Sequence, residues 1–183
     1  SVTVNGDTID EANETFFVNL TNATAGATIT DNQAQGTITD DDAAPTITAV
    51  SDASAIEAAS IVHTVTLSNP SAVATTYSLS LSDGSATGGG TDYTSTLSNA
   101  AFSNGVSIAA GVITVPAGVT SFTVTVPTTL DTIDELDETY SLSVGGVAAT
   151  GTISDDDAAP TIASVSDASA IEDAFRSRLE QMR

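Results

Sequence analysis

The sequence lacks cysteine and tryptophan, and it has almost no positive charge. The absence of cysteine excludes disulfides, thiolate metal sites and a cysteine nucleophile. Lysine and arginine together number 3 against 24 acidic residues, which gives a formal net charge of −21. A chain this acidic cannot neutralise phosphates, so nucleic acid is excluded as a partner and an anionic membrane surface is disfavoured. No apolar run approaches the length of a membrane span, so membrane insertion is not expected.

The few basic residues are confined to the end of the chain, at Arg176, Arg178 and Arg183. The same segment departs from the internal repeat of the chain. Residues 173–183 are therefore predicted to be a foreign tail or tag, with a natural C-terminal helix as the alternative.

The sequence contains a long internal repeat. DDDAAPTI occurs at 40–47 and 155–162, and each copy is followed by SDASAIE, at 51–57 and 166–172. The copies are 115 residues apart, which is the length of a whole domain. Residues 1–42 are predicted to be the C-terminal part of one repeat, 43–157 a complete repeat, and 158–172 the first strand of the next.

The complete repeat reads as short strands separated by turns. Alternating apolar and polar residues, with Thr and Ser on one face, are typical of half-buried strands. About seven strands are predicted, and a Gly145-Gly146 hairpin joins the last two. The predicted fold class is all-β, an immunoglobulin-like antiparallel β-sandwich in tandem repeat. The predicted strands are Thr46–Val50, Ile61–Ser68, Thr75–Ser82, Val112–Val115, Ser121–Val126, Glu138–Val144 and Ala148–Ser154.

The acidic residues gather in loops. Asp131–Glu138 precedes the sixth predicted strand, and Asp155–Asp157 follows the seventh. In a hairpin the start of one strand lies beside the end of the other, so these acids should converge. Two carboxylates about 5 Å apart repel by roughly 3 kcal/mol at an effective dielectric near 20. A solvated acidic face is the simpler interpretation, but convergence of two clusters favours Ca²⁺, which takes 6–8 oxygen ligands.

Several motifs together resemble one family. GTDY at 90–93 is followed by PAG at 116–118 before an alternating strand, then by DTIDELDETY at 131–140, and finally by GTI before three aspartates. This pattern resembles the Calx-beta domain family, which is named from sodium–calcium exchangers and occurs as tandem repeats in large bacterial surface proteins. The resemblance implies a calcium-binding β-sandwich and covers nearly all of 43–157 and part of 1–42.

The resemblance also implies a set of calcium ligands. They come from the acid that ends the first strand, the GTDY aspartate, the acidic loop and the terminal aspartates. In this sequence they are Glu57, Asp92, Asp131, Glu135, Glu138, Asp155, Asp156 and Asp157. The partial first repeat has the equivalents Asp7, Glu11, Glu14, Asp40, Asp41 and Asp42.

Other conspicuous residues are assigned structural roles. His63 is the single histidine and shares strand parity with Ile61 and Val65, so packing is favoured over catalysis. Gly88-Gly89-Gly90 is not a phosphate loop, because no lysine follows and no helix begins there. The glycines are expected to give a tight path that brings Asp92 towards the ion.

The function expected from the sequence is a calcium-binding spacer repeat of a bacterial cell-surface adhesin, which is extracellular and not an enzyme. Calcium would make the domain junctions rigid, and the partners would be neighbouring repeats of the same polypeptide. One alternative is a calcium-sensing regulatory module; near-identical repeated junctions favour the structural role. Another is a ligand-binding adhesin domain, which would need side chains such as Tyr77 and Phe102 to converge outside the acidic clusters.

Overall fold

Short strands dominate the computed structural model, which describes residues 1–169 of the chain. The predicted tail 173–183 and the end of the predicted segment 158–172 lie outside the described residues. Residues 158–169 form no strand and are exposed. Residues 43–57, the matching segment of the complete repeat, form strands by pairing with later strands of the same sandwich. The strand predicted for 158–172 would therefore need the sheets of a following repeat.

Residues 1–169 form eleven strands. Two belong to the partial repeat and nine to the complete one. They are β1 Glu14–Asn19, β2 Gln33–Ile38, β3 Ile47–Val50, β4 Ala53–Ile56, β5 Ser60–Leu67, β6 Thr75–Asp83, β7 Ser107–Ala109, β8 Val112–Val115, β9 Ser121–Pro127, β10 Glu138–Val144 and β11 Val147–Ser154. The one helical element of residues 1–169 is a 3₁₀ turn, Asn99–Ala101, and this part of the chain has no helix able to cross a bilayer.

The strands of the complete repeat form two sheets, which confirms the predicted all-β sandwich. One sheet has the order β4-β11-β10-β6-β8-β7 and the other the order β3-β5-β9. Strand β5 alternates exposed and buried residues along its whole length, and β9 and β10 bury every second residue. Each such side chain removed from water contributes roughly 1.5–3 kcal/mol, so the alternation holds the two sheets face to face.

All the seven predicted strands are present, with shifts of one residue at some ends, but two further strands were not predicted. The chain bends after Val50, and β4 then joins the other sheet as a parallel neighbour of β11, with Gly151 opposite Ala53. The Asp52 carboxylate accepts a hydrogen bond of 2.6 Å from the Thr150 N–H and holds this bend. Strand β4 consists mainly of small residues, and β7 has only 3 residues. Neither shows a clear alternation of large apolar side chains, so the sequence pattern does not reveal these two strands.

The hairpin of β10 and β11 positions the acidic segments. Gly145 and Gly146 both have positive φ, +57° and +87°, as a two-residue turn of this hairpin requires. The register pairs Val144 with Val147 and Glu138 with Ile153. The start of β10 therefore lies beside the end of β11, as predicted.

Residues 1–42 contribute a separate two-stranded sheet, β1 with β2. The side chains of Phe17 and Leu20 are 56% and 57% exposed, while the buried core residues of the described chain all lie between Ile47 and Ile153. The partial repeat thus has a hairpin without the sandwich that would cover it.

Candidate metal centre

Two groups of three carboxylates meet at one end of the sandwich. Within each group, one oxygen from every residue lies within 4.8 Å of the others. The first group is Glu57, Asp131 and Asp157, and the second is Asp92, Glu135 and Glu138. Five of these six residues, together with Asp155, line a single cleft.

The first group depends on the unpredicted strand β4. Parallel pairing with β11 continues one residue past β4, where the Glu57 N–H donates a 3.3 Å hydrogen bond to the Ser154 carbonyl. The Glu57 side chain is 7% exposed, and its Oε2 accepts a 3.2 Å hydrogen bond from the Asp131 N–H. Across from it, Asp157 Oδ2 is buried and has no hydrogen-bond partner. A buried carboxylate oxygen without a donor is costly.

The second group depends on the glycine-rich loop. The Thr87 N–H donates a 2.6 Å hydrogen bond to Asp92 Oδ2, and the Thr129 N–H donates one of 2.9 Å to the Asp92 carbonyl. Glu138 is the first residue of β10, and Glu135 lies three residues before it in the acidic loop. The loop therefore carries Asp92 to the cleft, as expected from the sequence.

Buried aromatic rings support the glycine-rich loop on its core side. Tyr93, next to Asp92, is fully buried and stacks on Tyr140 with ring centroids 4.6 Å apart. Its hydroxyl donates a 2.7 Å hydrogen bond to Asp83. This hydrogen bond and one of 2.9 Å from the Gly88 N–H join Asp83 to the loop, and they lower the pKa of its carboxyl group.

The remaining acids repel one another strongly. Burial, the charge of Asp92 and a hydrogen bond shared with it raise the pKa of Glu138 to about 7, with smaller effects from Glu135 and Glu57. Burial followed by the charge of Asp131 also raises the pKa of Glu135.

The first group is perturbed in the same direction. For Glu57, the hydrogen bond from Asp131 lowers the pKa, but burial and the charges of Asp131 and Asp157 outweigh it, so the pKa is raised. Burial, then Asp155 and Asp156, raise the pKa of Asp157. In every case the cleft disfavours the charged form of the carboxyl group.

No lysine or arginine in the described part of the chain offsets this charge. All lysine and arginine residues lie at 176–183. His63 is fully buried and binds elsewhere, with its ring nitrogens 2.7 Å from the Ser51 carbonyl and 2.9 Å from the Tyr140 hydroxyl. The expected packing role of His63 agrees with these contacts, which join the two sheets.

The geometry fits a hard cation. Two oxygens that bind one calcium ion at about 2.4 Å are at most about 4.8 Å apart. The oxygens of each group lie within 4.8 Å of one another, so each group could share one ion. The cleft has a volume of about 10 Å³, which is enough for an ion or one water molecule. Carboxylate oxygens, among them Asp157 Oδ2 with no hydrogen-bond partner, are the ligand type that calcium prefers.

The predicted ligand residues do not all lie together. Asp155 lines the cleft, whereas Asp156 is exposed and belongs to neither group. Asp156 lies beyond Ser154, the last residue of β11, so no strand pairing fixes the direction of its side chain. Thr129 also lines the cleft, and the sequence reasoning did not include it because a threonine in a threonine-rich chain carries no distinguishing signal.

The partial repeat gathers its acids more loosely. Burial, then the charges of Asp7, Glu14, Asp40 and Asp42, raise the pKa of Glu11. Burial, then the charge of Asp41, raises the pKa of Asp42. Yet no three of these oxygens in the described residues approach within 4.8 Å, and residues 1–42 include no equivalents of Glu57 and Asp92.

Comparison with known proteins gives a family match and several structures of similar fold. The family model of the Calx-beta domain matches residues 1–42 and 44–166. The crystal structure of CBD12 from CALX1.2 is 19% identical with a TM-score of 0.46, covering 62% of this chain and 45% of that one. The chain thus spans less than half the length of that relative.

Two further structures give similar values. The apo-form Calx CBD1 domain is 19% identical with a TM-score of 0.46, covering 62% of this chain and 96% of that one. The calcium binding domain CBD12 of CALX1.1 is 17% identical with a TM-score of 0.48, covering 63% of this chain and 47% of that one. None of the curated protein sequences matches the chain.

Proposed function

The chain belongs to the Calx-beta domain family, and on that premise we propose that the acidic cleft of residues 43–157 binds Ca²⁺. Glu57, Asp131 and Asp157 would hold calcium on one side of the cleft, and Asp92, Glu135 and Glu138 on the other, with Asp155 beside them. A bound cation supplies the positive charge that relieves the repulsion of these carboxylates.

One observation carries the proposal. Asp157 Oδ2 is buried without a hydrogen-bond partner, inside a group of carboxylates that also holds the nearly buried Glu57. A buried carboxylate oxygen without a donor lowers the stability of the folded protein, and a bound cation removes this cost at a pH where the carboxyl group is ionised. Solvation alone does not account for it, because the atom is out of contact with water.

We propose that the role of this calcium is structural. Asp157 is the last ligand of the complete repeat, and Ala158-Ala159-Pro160 follow it at once. Proline fixes its own φ, so the link to a following repeat is short and restricted. An ion that holds Asp157 would hold the start of this link, and the chain would act as a non-enzymatic spacer whose partners are neighbouring repeats of the same polypeptide. The repeat pattern supports a place in an extracellular, bacterial cell-surface adhesin.

Thermal unfolding tests the calcium site. At a calcium concentration 100 times Kd, binding to the native state alone adds about 2.7 kcal/mol, which raises Tm by about 5–10 °C. The variant Asp131→Asn keeps the side-chain oxygen that accepts from the Ile133 N–H but loses the charge, and it should lose most of this rise. Asp134→Asn is the matched control, since Asp134 lies in the same loop, is exposed and belongs to neither group. An equal rise in Tm for both variants would refute the site.

A further inference from the structure

Residues 1–42 touch the complete repeat through the loop before β1. The Asp10 N–H donates a 3.2 Å hydrogen bond to the Pro70 carbonyl, and the Ala72 N–H donates one of 2.8 Å to the Asp10 carbonyl. The Ser71 hydroxyl lies 2.7 Å from Asp10 Oδ2 and donates to it. Asp10 is therefore bound on both its backbone and its side chain by the turn Pro70–Ala72.

The receiving turn is built into the sandwich. Ser71 is only 4% exposed, and its carbonyl accepts a 2.9 Å hydrogen bond from the Gly118 N–H. The turn carries no charged residue, and it offers a hydroxyl and a backbone N–H to an incoming carboxylate and carbonyl. It is thus a fixed and complementary partner for an aspartate.

The complete repeat contains a second copy of the loop that carries Asp10. The five residues DTIDE occur at 7–11 and again at 131–135. Both copies fold alike, because the Ile9 N–H donates to Asp7 Oδ1 at 2.9 Å and the Ile133 N–H donates to Asp131 Oδ1 at 2.7 Å.

The two copies differ in what covers them. Ile9 and Asp10 are half-buried, whereas Ile133 is 60% exposed and Asp134 is exposed as well. Identical residues in the same local conformation have different burial because only the first copy is followed by a complete repeat in the described chain. The second copy therefore exposes the surface that the turn Pro70–Ala72 covers in the first copy.

We propose that this Ile–Asp loop is the docking surface between consecutive repeats. Its occupant is the Pro–Ser–Ala turn of the following copy, so Asp134 would bind the Ser71 equivalent of a next repeat as Asp10 binds Ser71. The inference rests on the proposed spacer role and not on calcium, since no ligand of the cleft takes part in the contact. Each repeat then carries a turn that receives the preceding copy and a loop that engages the next.

Amide hydrogen exchange in the full chain, with calcium removed by chelator, tests the existing contact. Asp10→Ala keeps the backbone carbonyl that accepts from the Ala72 N–H but removes the Oδ2 that accepts from the Ser71 hydroxyl. The weakened contact should open more often, so the Ala72 amide should exchange about tenfold faster, as loss of one hydrogen bond of ordinary net strength predicts. Asp134→Ala removes the same residue from the same sequence context and should leave that rate within twofold of the parent. Equal rates in the parent and the Asp10→Ala variant would overturn the proposal.

An extended chain tests the uncovered copy. In the extended chain, a second copy of residues 58–157 follows Glu172 and replaces residues 173–183. This adds a second complete repeat. In chelator, the Ile133 and Asp134 amides should exchange several-fold more slowly than in the 183-residue chain, and Asp134→Ala should abolish the difference. Unchanged exchange of these amides would refute the docking surface, while leaving the calcium proposal intact. Protection that Asp134→Ala does not remove would assign the contact to other residues and would also refute it.

Discussion

At the scale of single residues, the cleft is defined by carboxyl groups whose charge the fold disfavours. Glu138 is the extreme case, because burial and the neighbouring Asp92 raise its pKa to about 7. Glu57, Glu135 and Asp157 are shifted in the same direction. The metal-free protein must therefore bind protons more tightly when folded than when unfolded.

This gives a pH dependence with a definite sign. Between the ordinary value near 4.5 and about 7, folded Glu138 holds a proton that the unfolded chain does not. Its contribution to stability is fully present below pH 4.5 and is lost as the pH rises through about 7. Urea unfolding of calcium-stripped protein should show a larger free energy of unfolding at pH 5 than at pH 8, and calcium affinity should fall as the pH drops below 7.

The variant Glu138→Gln is the control for this measurement. It cannot titrate, so its stability should change less with pH, with a remaining slope of the same sign from Glu57, Glu135 and Asp157. A parent protein whose stability is constant or falls on acidification from pH 8 to pH 5 would contradict the raised pKa values.

Most of the cleft could be predicted from the sequence because a hairpin brings the start of one strand to the end of the next. The acids of 131–138 and the aspartates after β11 follow from that rule, and Asp92 follows from the family pattern. The direction in which a side chain points cannot be predicted from that rule. Asp156 was expected among the ligands but is exposed, whereas its neighbours Asp155 and Asp157 are half-buried; all three lie beyond the end of β11, where no strand pairing sets the direction of a side chain.

At the scale of elements, the pairing of β10 with β11 is the framework of the site. Tyr140 on β10 covers Gly151 on β11, so any side chain at Gly151 would occupy the position of the Tyr140 ring. That ring cannot move easily, because it stacks on Tyr93 and its hydroxyl lies 2.9 Å from His63. The hairpin of the partial repeat repeats this arrangement with Phe16 over Gly36.

The two glycines make a matched pair of substitutions. Gly151→Ala should lower the free energy of unfolding by about 2–3 kcal/mol, since overfilling a tightly packed core forces side chains to shift. Gly36→Ala introduces the same methyl group beside Phe16, which is only half-buried and lies outside the core, so the main unfolding transition should stay where it is. Urea unfolding followed by circular dichroism separates these outcomes, and an equal loss from both substitutions would contradict them.

The strands that the sequence predicts are those with large apolar residues at alternate positions, such as β5 and β9. Strand β4 has mainly small residues and pairs in parallel with a distant segment, so its existence depends on tertiary contacts. This hidden strand delivers Glu57 to the cleft. The sequence therefore predicts the residue as a ligand by family pattern, while the physical cause of its position appears only in the fold.

At the scale of the whole molecule, the proposed spacer role makes this chain one link of an array. The complete repeat has a full set of acids at its end, while residues 1–42 lack the equivalents of Glu57 and Asp92. Calcium bound in the cleft of residues 43–157 should thus act on the junction after Asp157. In the extended chain with two complete repeats, small-angle scattering should give a longer and narrower distance distribution in millimolar calcium than in chelator. Identical distributions, with calcium bound in one sample, would remove the stiffening role.

Calorimetric titration with calcium tests the central claim, that the acidic cleft is a calcium site, most directly. The chelator-stripped parent should show saturable binding that chelator reverses. The double variant Glu57→Gln and Asp157→Asn, which removes two charges from the first group but keeps its size, should show clearly weaker binding or fewer ions bound. The absence of binding at millimolar calcium in the parent, or an unchanged isotherm in the double variant, would contradict the account.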